Sequence, residues 1–273
     1  MSAYCHATMR YVPRAFTGAP EPIDVEVSID NGREADLPGW EESGFELIHH
    51  APNVEDFLDE VAVAEDHYAQ MEALARELSG CDYALITGHI IRSPDAVKRH
   101  SDLGPITFVH SDFADTYGDL VRRRFVDVTE PAQKGLARAG IEQSVVSDAR
   151  RILILQFWRN IGPAKMDMPL AFCDARTVPA ASTRKMPVTD YAGGGSNFDT
   201  LGILAPLQPD EHGWYVFPEM SRNEVVAFRT YDSALAEGGR TFWTPHCAFH
   251  DPAVPLGKPA RSSIELRATC VFV

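Results

Sequence analysis

"RILILQFWRNI", residues 151–161, is the stretch on which the fold turns. Ahead of it apolar residues recur at helical spacing; from it onward they come in short runs. The run is short and largely apolar, and reads as a strand. Further runs follow: "PLAFCDART" (169–177), "GWYVFPEM" (213–220), "EVVAFRTYD" (224–232), "TFWTPHCAF" (241–249) and "RSSIELRATCVFV" (261–273), separated by Pro, Gly and Asp signals. Such spacing points to a β-sandwich or barrel.

Upstream, "PIDVEVSID" (22–30) alternates, and "DNG" at Asp30 to Gly32 predicts a hairpin turn within an opening strand pair spanning residues 7–30. Residues Val54 to Leu78 carry Phe57, Val61, Tyr68, Met71, Leu74 and Leu78 at helical spacing, and Gly80 ends them. His49, His50 and His67 lie in or near this region without partners at ligand spacing, and read as surface or packing residues. "DYALITGHIIRS" (82–93) and "PITFVHSDF" (105–113) read as buried strands. Helices are expected over Tyr117–Phe125 and Pro131–Arg138, with a third ending by Arg150. "AGGGSNFD" (192–199) lacks the strand-turn-helix setting of a phosphate loop and reads as a mobile loop or lid hinge.

"FVHSDFAD" (108–115) carries the chemistry. Side chains at i and i+2 of a strand point to the same side, so His110 and Asp112 can reach one ion. "TFWTPHCAFHDP" (241–252) supplies a third ligand. His246 and His250 would stand roughly 13 Å apart along a strand, so one at most can share that ion. His246 sits on the strand itself, whereas His250 falls in the exit turn before Asp251 and Pro252. His110, Asp112 and His246 then form the two-histidine, one-carboxylate set that leaves positions open on Fe(II) for a co-substrate and oxygen.

A carboxylate co-substrate such as 2-oxoglutarate needs a cation at fixed reach. By parity "RSSIELR" places Arg261, Ser263, Glu265 and Arg267 on one strand face, and the arginine fork suits bidentate capture of a carboxylate. Arg261, fifteen residues after His246, is favoured for the far carboxylate, with Arg267 the alternative or a structural residue paired with Glu265 or an outer carboxylate.

The chain's 273 residues fit one large β-rich domain, residues 1–273, with residues 1–80 as an N-terminal hairpin and helix packed on the barrel. With 25 Lys+Arg against 39 Asp+Glu the net charge is −14, which disfavours nucleic acid and anionic membranes. Arg122, Arg123 and Arg124 read as the solvated face of a helix. No apolar run is long enough to span a membrane and the first residues lack a secretory signal's apolar core, so a cytoplasmic protein, monomer or homodimer, is expected. The cysteines, five and scattered, argue against a disulfide framework or a cysteine zinc site.

Taken in order, "GFELIHHAPNVEDFLDE", "ALITGHIIRSP", "VHSDFAD", "QFWRNIGPAKMDMPLAFCDARTV", "EVVAFRTYDS", "TFWTPHCAFHDP" and "RSSIELRA" span most of the chain. In this ordered set the chain resembles the hydroxylase/desaturase family of asaB type, which includes gibberellin desaturase-like and cephamycin 7-hydroxylation-like proteins. The resemblance implies a mainly β fold with flanking helices, a double-stranded β-helix of jelly-roll, cupin-like form. It implies Fe(II), 2-oxoglutarate and O2, metal ligands His110, Asp112 and His246, and a co-substrate arginine at Arg261 or Arg267. The implied reaction hydroxylates or desaturates a small molecule, a secondary metabolite or amino-acid derivative, with succinate and CO2 as co-products. Where relatives commonly read Asn-x-Trp-Arg-Pro, this chain has Gln156 to Asn160, a departure in the pocket wall. Trp158, Arg159 and Arg92 are the expected substrate contacts. A metal-dependent hydrolase or isomerase on the same three ligands, or a noncatalytic metal-containing barrel, would need no such arginine.

Overall fold

The computed structural model describes residues 3–15, 20–208 and 210–273. Its strands, in chain order, are β1 (Cys5–Tyr11), β2 (Ile23–Asn31), β3 (Phe45–His49), β4 (Tyr83–Arg92), β5 (His110–Ser111), β6 (Arg151–Asn160), β7 (Leu170–Cys173), β8 (Thr183–Tyr191), β9 (Ser196–Ile203), β10 (Trp214–Val216), β11 (Glu224–Asp232), β12 (His246–Ala248) and β13 (Ser263–Phe272). One sheet has the order β3-β11-β6-β13-β4, the other β1-β2-β10-β7-β12-β5-β9-β8. Within them β4-β13-β6-β11 and β10-β7-β12-β5 are the two antiparallel layers of a double-stranded β-helix, the expected jelly roll.

β6 shows why its run is continuously apolar. Leu153, Leu155 and Phe157 face outward onto Met71, Leu74 and Ala75 of the helix Tyr68–Ser79, while Ile152 and Ile154 join the core on the opposite face. Each fully buried side chain of this size contributes about 1.5–3 kcal/mol.

The first hairpin differs from expectation. Its arms are β1 and β2, with Tyr11 opposite Ile23, so the connection lies before β2. "DNG" instead ends β2, where Asn31 Oδ1 accepts from the Arg33 amide and the Gly32 amide donates to Val216. β2 runs parallel to β10, while Arg10 of β1 bridges back to Phe108 and Val12, just beyond β1, to Leu204, so hydrogen-bonded segments form a closed ring around Met9, Tyr11, Ile29, Trp214 and Cys247.

The expected helix from Val54 is delayed. Asp59 caps it, accepting from the Val61 and Ala62 amides, and a π turn at Val63–His67 precedes the regular helix. Gly80, at φ 66°, ends it as expected, because the left-handed conformation costs glycine least. The three later helices are Tyr117–Arg124, Glu130–Ala139 and Gln143–Ser147. The glycine run is the turn of the β8–β9 hairpin, where Asp190 Oδ1 accepts the Gly195 amide. β8 leaves little signal in the sequence because it is largely exposed and carries Pro187 and several charges.

Gly202 on β9 lies opposite His110. A Cβ there would come within 2.5 Å of Met186 Sδ and 2.6 Å of Val12 Cγ2. Gly202→Ala is therefore expected to destabilise the protein by about 1–3 kcal/mol, as overpacking does. Calorimetric melting of the variant measures this, and an unchanged melting temperature would refute the crowding.

Two buried histidines tie stability to pH. Burial, reinforced by the Arg159 charge, lowers the His67 pKa to about 4. Burial brings His212 to about 4 as well, against the opposing pull of Glu211. Unfolded, each would titrate near the ordinary value of 6.5. As pH falls below 6.5 the unfolded chain binds protons that the folded chain refuses, so stability present above that pH is progressively lost down to about 4. By pH 5 the loss should be about 1–2 kcal/mol per group. Urea denaturation at neutral pH and at pH 5 checks it; His67→Gln should flatten the dependence.

Candidate metal centre

Backbone pairing brings the distant ligand to the other two. β12 and β5 are antiparallel with His246 directly opposite His110, and Asp112 follows β5. Asp112 Oδ1 lies 3.6 Å from His110 Nε2 and 3.6 Å from His246 Nε2, with the imidazole centroids 4.4 Å apart. Donors each about 2.1 Å from one ion stand about 3–4 Å from one another, so the three fit a single metal.

The tautomers agree with that fit. His110 Nδ1 faces the Phe108 carbonyl at 2.7 Å, and His246 Nδ1 faces the Thr244 carbonyl at 3.1 Å. A carbonyl only accepts, so each Nδ1 carries the proton and each Nε2 presents a lone pair. Among the described residues, these three alone cluster as a possible metal site. Three protein donors leave coordination positions free.

Charge around the centre is closely paired. Arg267 donates to Asp112 Oδ2 at 3.2 Å and to Gln156 Oε1 at 2.8 Å. Burial alone would raise the Asp112 pKa, but the Arg267 charge and the two histidines outweigh it and hold the carboxyl well below its usual range. Burial, and the proximity of the second imidazole at His246, lower the His110 pKa, which favours the neutral ring that binds metal. Arg92 donates through Nε and Nη2 to Glu265 Oε1, at 3.1 and 2.7 Å, and through Nη2 to the Tyr191 hydroxyl.

A cavity of about 700 Å³ opens onto His110, Asp112, Arg267, Glu265 and Arg92. Of the expected substrate contacts, Arg92 lines it and two stand elsewhere. Arg159 projects from the outer face of β6, donating to the His50 and Arg222 carbonyls. Trp158 packs between the sheets with Phe45, Phe172 and Phe228, off the cavity wall. Both belong to a strand buried on each face, where parity alone cannot identify the face toward substrate. Asn160 holds the Pro163 and Met220 carbonyls through its amide nitrogen, a structural role for the residue that departs from the expected proline. His250 is exposed, its Nε2 at the Val254 carbonyl.

Arg261 is buried beneath Trp158, with its guanidinium 5.4 Å from the ring, and does not line the open cavity. Its side chain donates to Ser263 Oγ and the Met168 carbonyl, and no carboxylate lies within ion-pair distance of it among the described residues. Burial and the like charge of Arg92 pull its pKa down to about 9. Arg267, by contrast, already has Asp112 as a partner.

Residues 8–272 match the family model described as Oxidoreductase/YMDC permease-like domain. The chain is 28% identical to the hydroxylase/desaturase efuI of Hormonema carpetanum over 271 aligned residues, covering 90% of this chain and 82% of that protein. It is 27% identical to the alpha-ketoglutarate-dependent dioxygenase phiK of a fungal species, over 96% of this chain and 94% of that one. A solved structure of the iron and alpha-ketoglutarate-dependent endoperoxidase NvfI superposes with a TM-score of 0.76 at 20% identity, covering 100% of this chain and 99% of that one. That likeness concerns the fold.

Proposed function

The chain belongs to the oxidoreductase family whose model covers residues 8–272, and from that membership we propose that it is a non-haem Fe(II)- and 2-oxoglutarate-dependent oxygenase acting on a small molecule. The observation that carries this reading is the cluster of His110 Nε2, Asp112 Oδ1 and His246 Nε2 on the wall of, or beside, a cavity large enough for a small-molecule substrate. Bound there, iron with 2-oxoglutarate and O2 supplies oxidation of an unreactive C–H bond, with succinate and CO2 as co-products.

The chain's own residues hold and orient. His110 and His246 are fixed by the carbonyls behind them, and Arg267 engages Asp112 Oδ2, leaving Oδ1 between the two imidazoles, where it would serve as the metal donor. Arg261 is assigned the far carboxylate of 2-oxoglutarate, with Ser263 steadying its Nε. A buried guanidinium without a counter-anion is costly, and an incoming carboxylate would relieve that cost. A hydrolase or isomerase on the same three ligands gives Arg261 no task, which favours the oxygenase.

Residues 1–273 are read as one domain, since the N-terminal hairpin shares the larger sheet with the ligand strands. Among the described residues no helix is long and apolar enough to cross a membrane, and we assign the enzyme to the cytoplasm. The test is aerobic incubation with 2-oxoglutarate and either Fe(II) or Zn(II). Succinate should form with iron alone; its absence under both, with hydrolysis supported by zinc, would overturn the oxygenase reading.

A further inference from the structure

The solvent end of the cavity carries positive charge that the protein leaves unneutralised. Arg99, at the end of the helix Pro94–Arg99, and Arg124, at the end of the helix Tyr117–Arg124, are both exposed and both line the cavity. Neither forms an ion pair with a carboxylate among the described residues. Of the acidic residues lining the cavity, Glu60 is the exposed one and Asp112 and Glu265 are buried, so the two exposed arginines outnumber it. Deeper in, charges cancel in pairs, Arg92 with Glu265 and Arg267 with Asp112.

An aromatic column joins the two ends. The Arg124 guanidinium lies 5.6 Å from the Tyr117 ring and donates to its hydroxyl. Tyr117 stacks on Phe113 at 3.5 Å and 11°, and Phe113 in turn lies 5.5 Å from the Arg267 guanidinium beside Asp112. Phe198 meets Phe113 edge-on at 5.7 Å and closes the wall. A molecule lying on this column has an apolar surface along its body, the metal ligands at one end and, at the other, the Arg124 guanidinium, which has no carboxylate partner among the described residues.

We propose that the substrate is an elongated, largely apolar molecule bearing one oxyanion, of carboxylate type, which Arg99 and Arg124 hold at the cavity mouth while its far end reaches the metal centre. This rests on the oxygenase reading for the reaction but not for the binding. The overall charge of −14 does not oppose it, because exposed charges more than about 8 Å away are screened at physiological salt while the two arginines act at contact. A planar guanidinium gives directed hydrogen bonds to an oxyanion.

The test uses two fluorescent probes of one scaffold, anilinonaphthalene sulfonate and its uncharged parent N-phenylnaphthylamine, titrated into the protein without iron, 2-oxoglutarate or oxygen. In the double variant Arg99→Gln, Arg124→Gln the sulfonate should bind about tenfold more weakly, the effect of losing charge-assisted contacts, with the uncharged probe changed less than about twofold. Added salt should weaken the sulfonate in the wild type and hardly affect it in the variant. Equal loss of both probes, unchanged sulfonate affinity in the variant, or no sulfonate binding to the wild type would each overturn the proposal. Failure of succinate formation would leave this result standing, so the two readings fail separately.

Discussion

His246→Ala is expected to abolish iron-dependent succinate formation, whereas His250→Ala should turn over at close to the wild-type rate. The two residues are four positions apart, but only His246 is set opposite His110 by strand pairing, with its Nε2 3.6 Å from Asp112. Loss of a metal ligand's outer partners alone costs about 10–100-fold in metal affinity or activity, so removing a ligand itself should cost at least that. His250 hydrogen-bonds the Val254 carbonyl in the exit turn and is not part of the cluster. Circular dichroism of both variants should match the wild type, because these side chains contribute little to the apolar core. Retained turnover in His246→Ala with loss in His250→Ala would move the third ligand.

Arg261→Lys should raise the KM for 2-oxoglutarate by roughly tenfold to a hundredfold with iron still bound. Lysine keeps the charge but lacks the planar fork, and a charged hydrogen-bonded contact is worth about 1.5–3 kcal/mol. Arg267→Lys should change KM much less and instead weaken iron retention, because Arg267 orients Asp112. Arg261→Met adds a readout independent of turnover. Without 2-oxoglutarate it should melt no lower than the wild type, since it removes a buried unpaired cation. It should also lose the stabilisation that 2-oxoglutarate gives the wild type with a redox-inert metal bound. A large KM increase confined to the Arg267 variant would transfer the role to that residue.

The candidate metal cluster was legible because the i, i+2 spacing and the position of a histidine on a strand rather than in its exit turn are written locally, whereas the pairing of β12 with β5 that joins them is not. His110 and Asp112 share a face through i and i+2, and His246 lies on a run that alternates before a Pro-containing exit. The barrel was legible from the late runs, and the end of the long helix from Gly80. The β8–β9 hairpin was not, because β8, the edge strand, is largely exposed and buries too little to impose a periodic apolar pattern. Nor was the cavity wall contributed by the helix Tyr117–Arg124. Its three successive arginines suggested a solvated surface, yet Tyr117, Val121 and Arg124 recur at i, i+4 and i+7 and share the face that lines the cavity. That spacing was the available signal. The face of β6 on which Arg159 and Trp158 each lie was not legible, since a strand buried on both sides offers no polar alternation to separate its faces.

The central claim is that His110, Asp112 and His246 hold iron and thereby complete a 2-oxoglutarate site. Calorimetric titration under nitrogen tests it most directly, with Fe(II) added first and 2-oxoglutarate second, to the wild type and to Asp112→Ala. One iron per chain should bind to the wild type, followed by one 2-oxoglutarate, with neither binding to the variant. Stoichiometric 2-oxoglutarate binding to Asp112→Ala in the absence of iron, or no iron uptake by the wild type, would contradict the account.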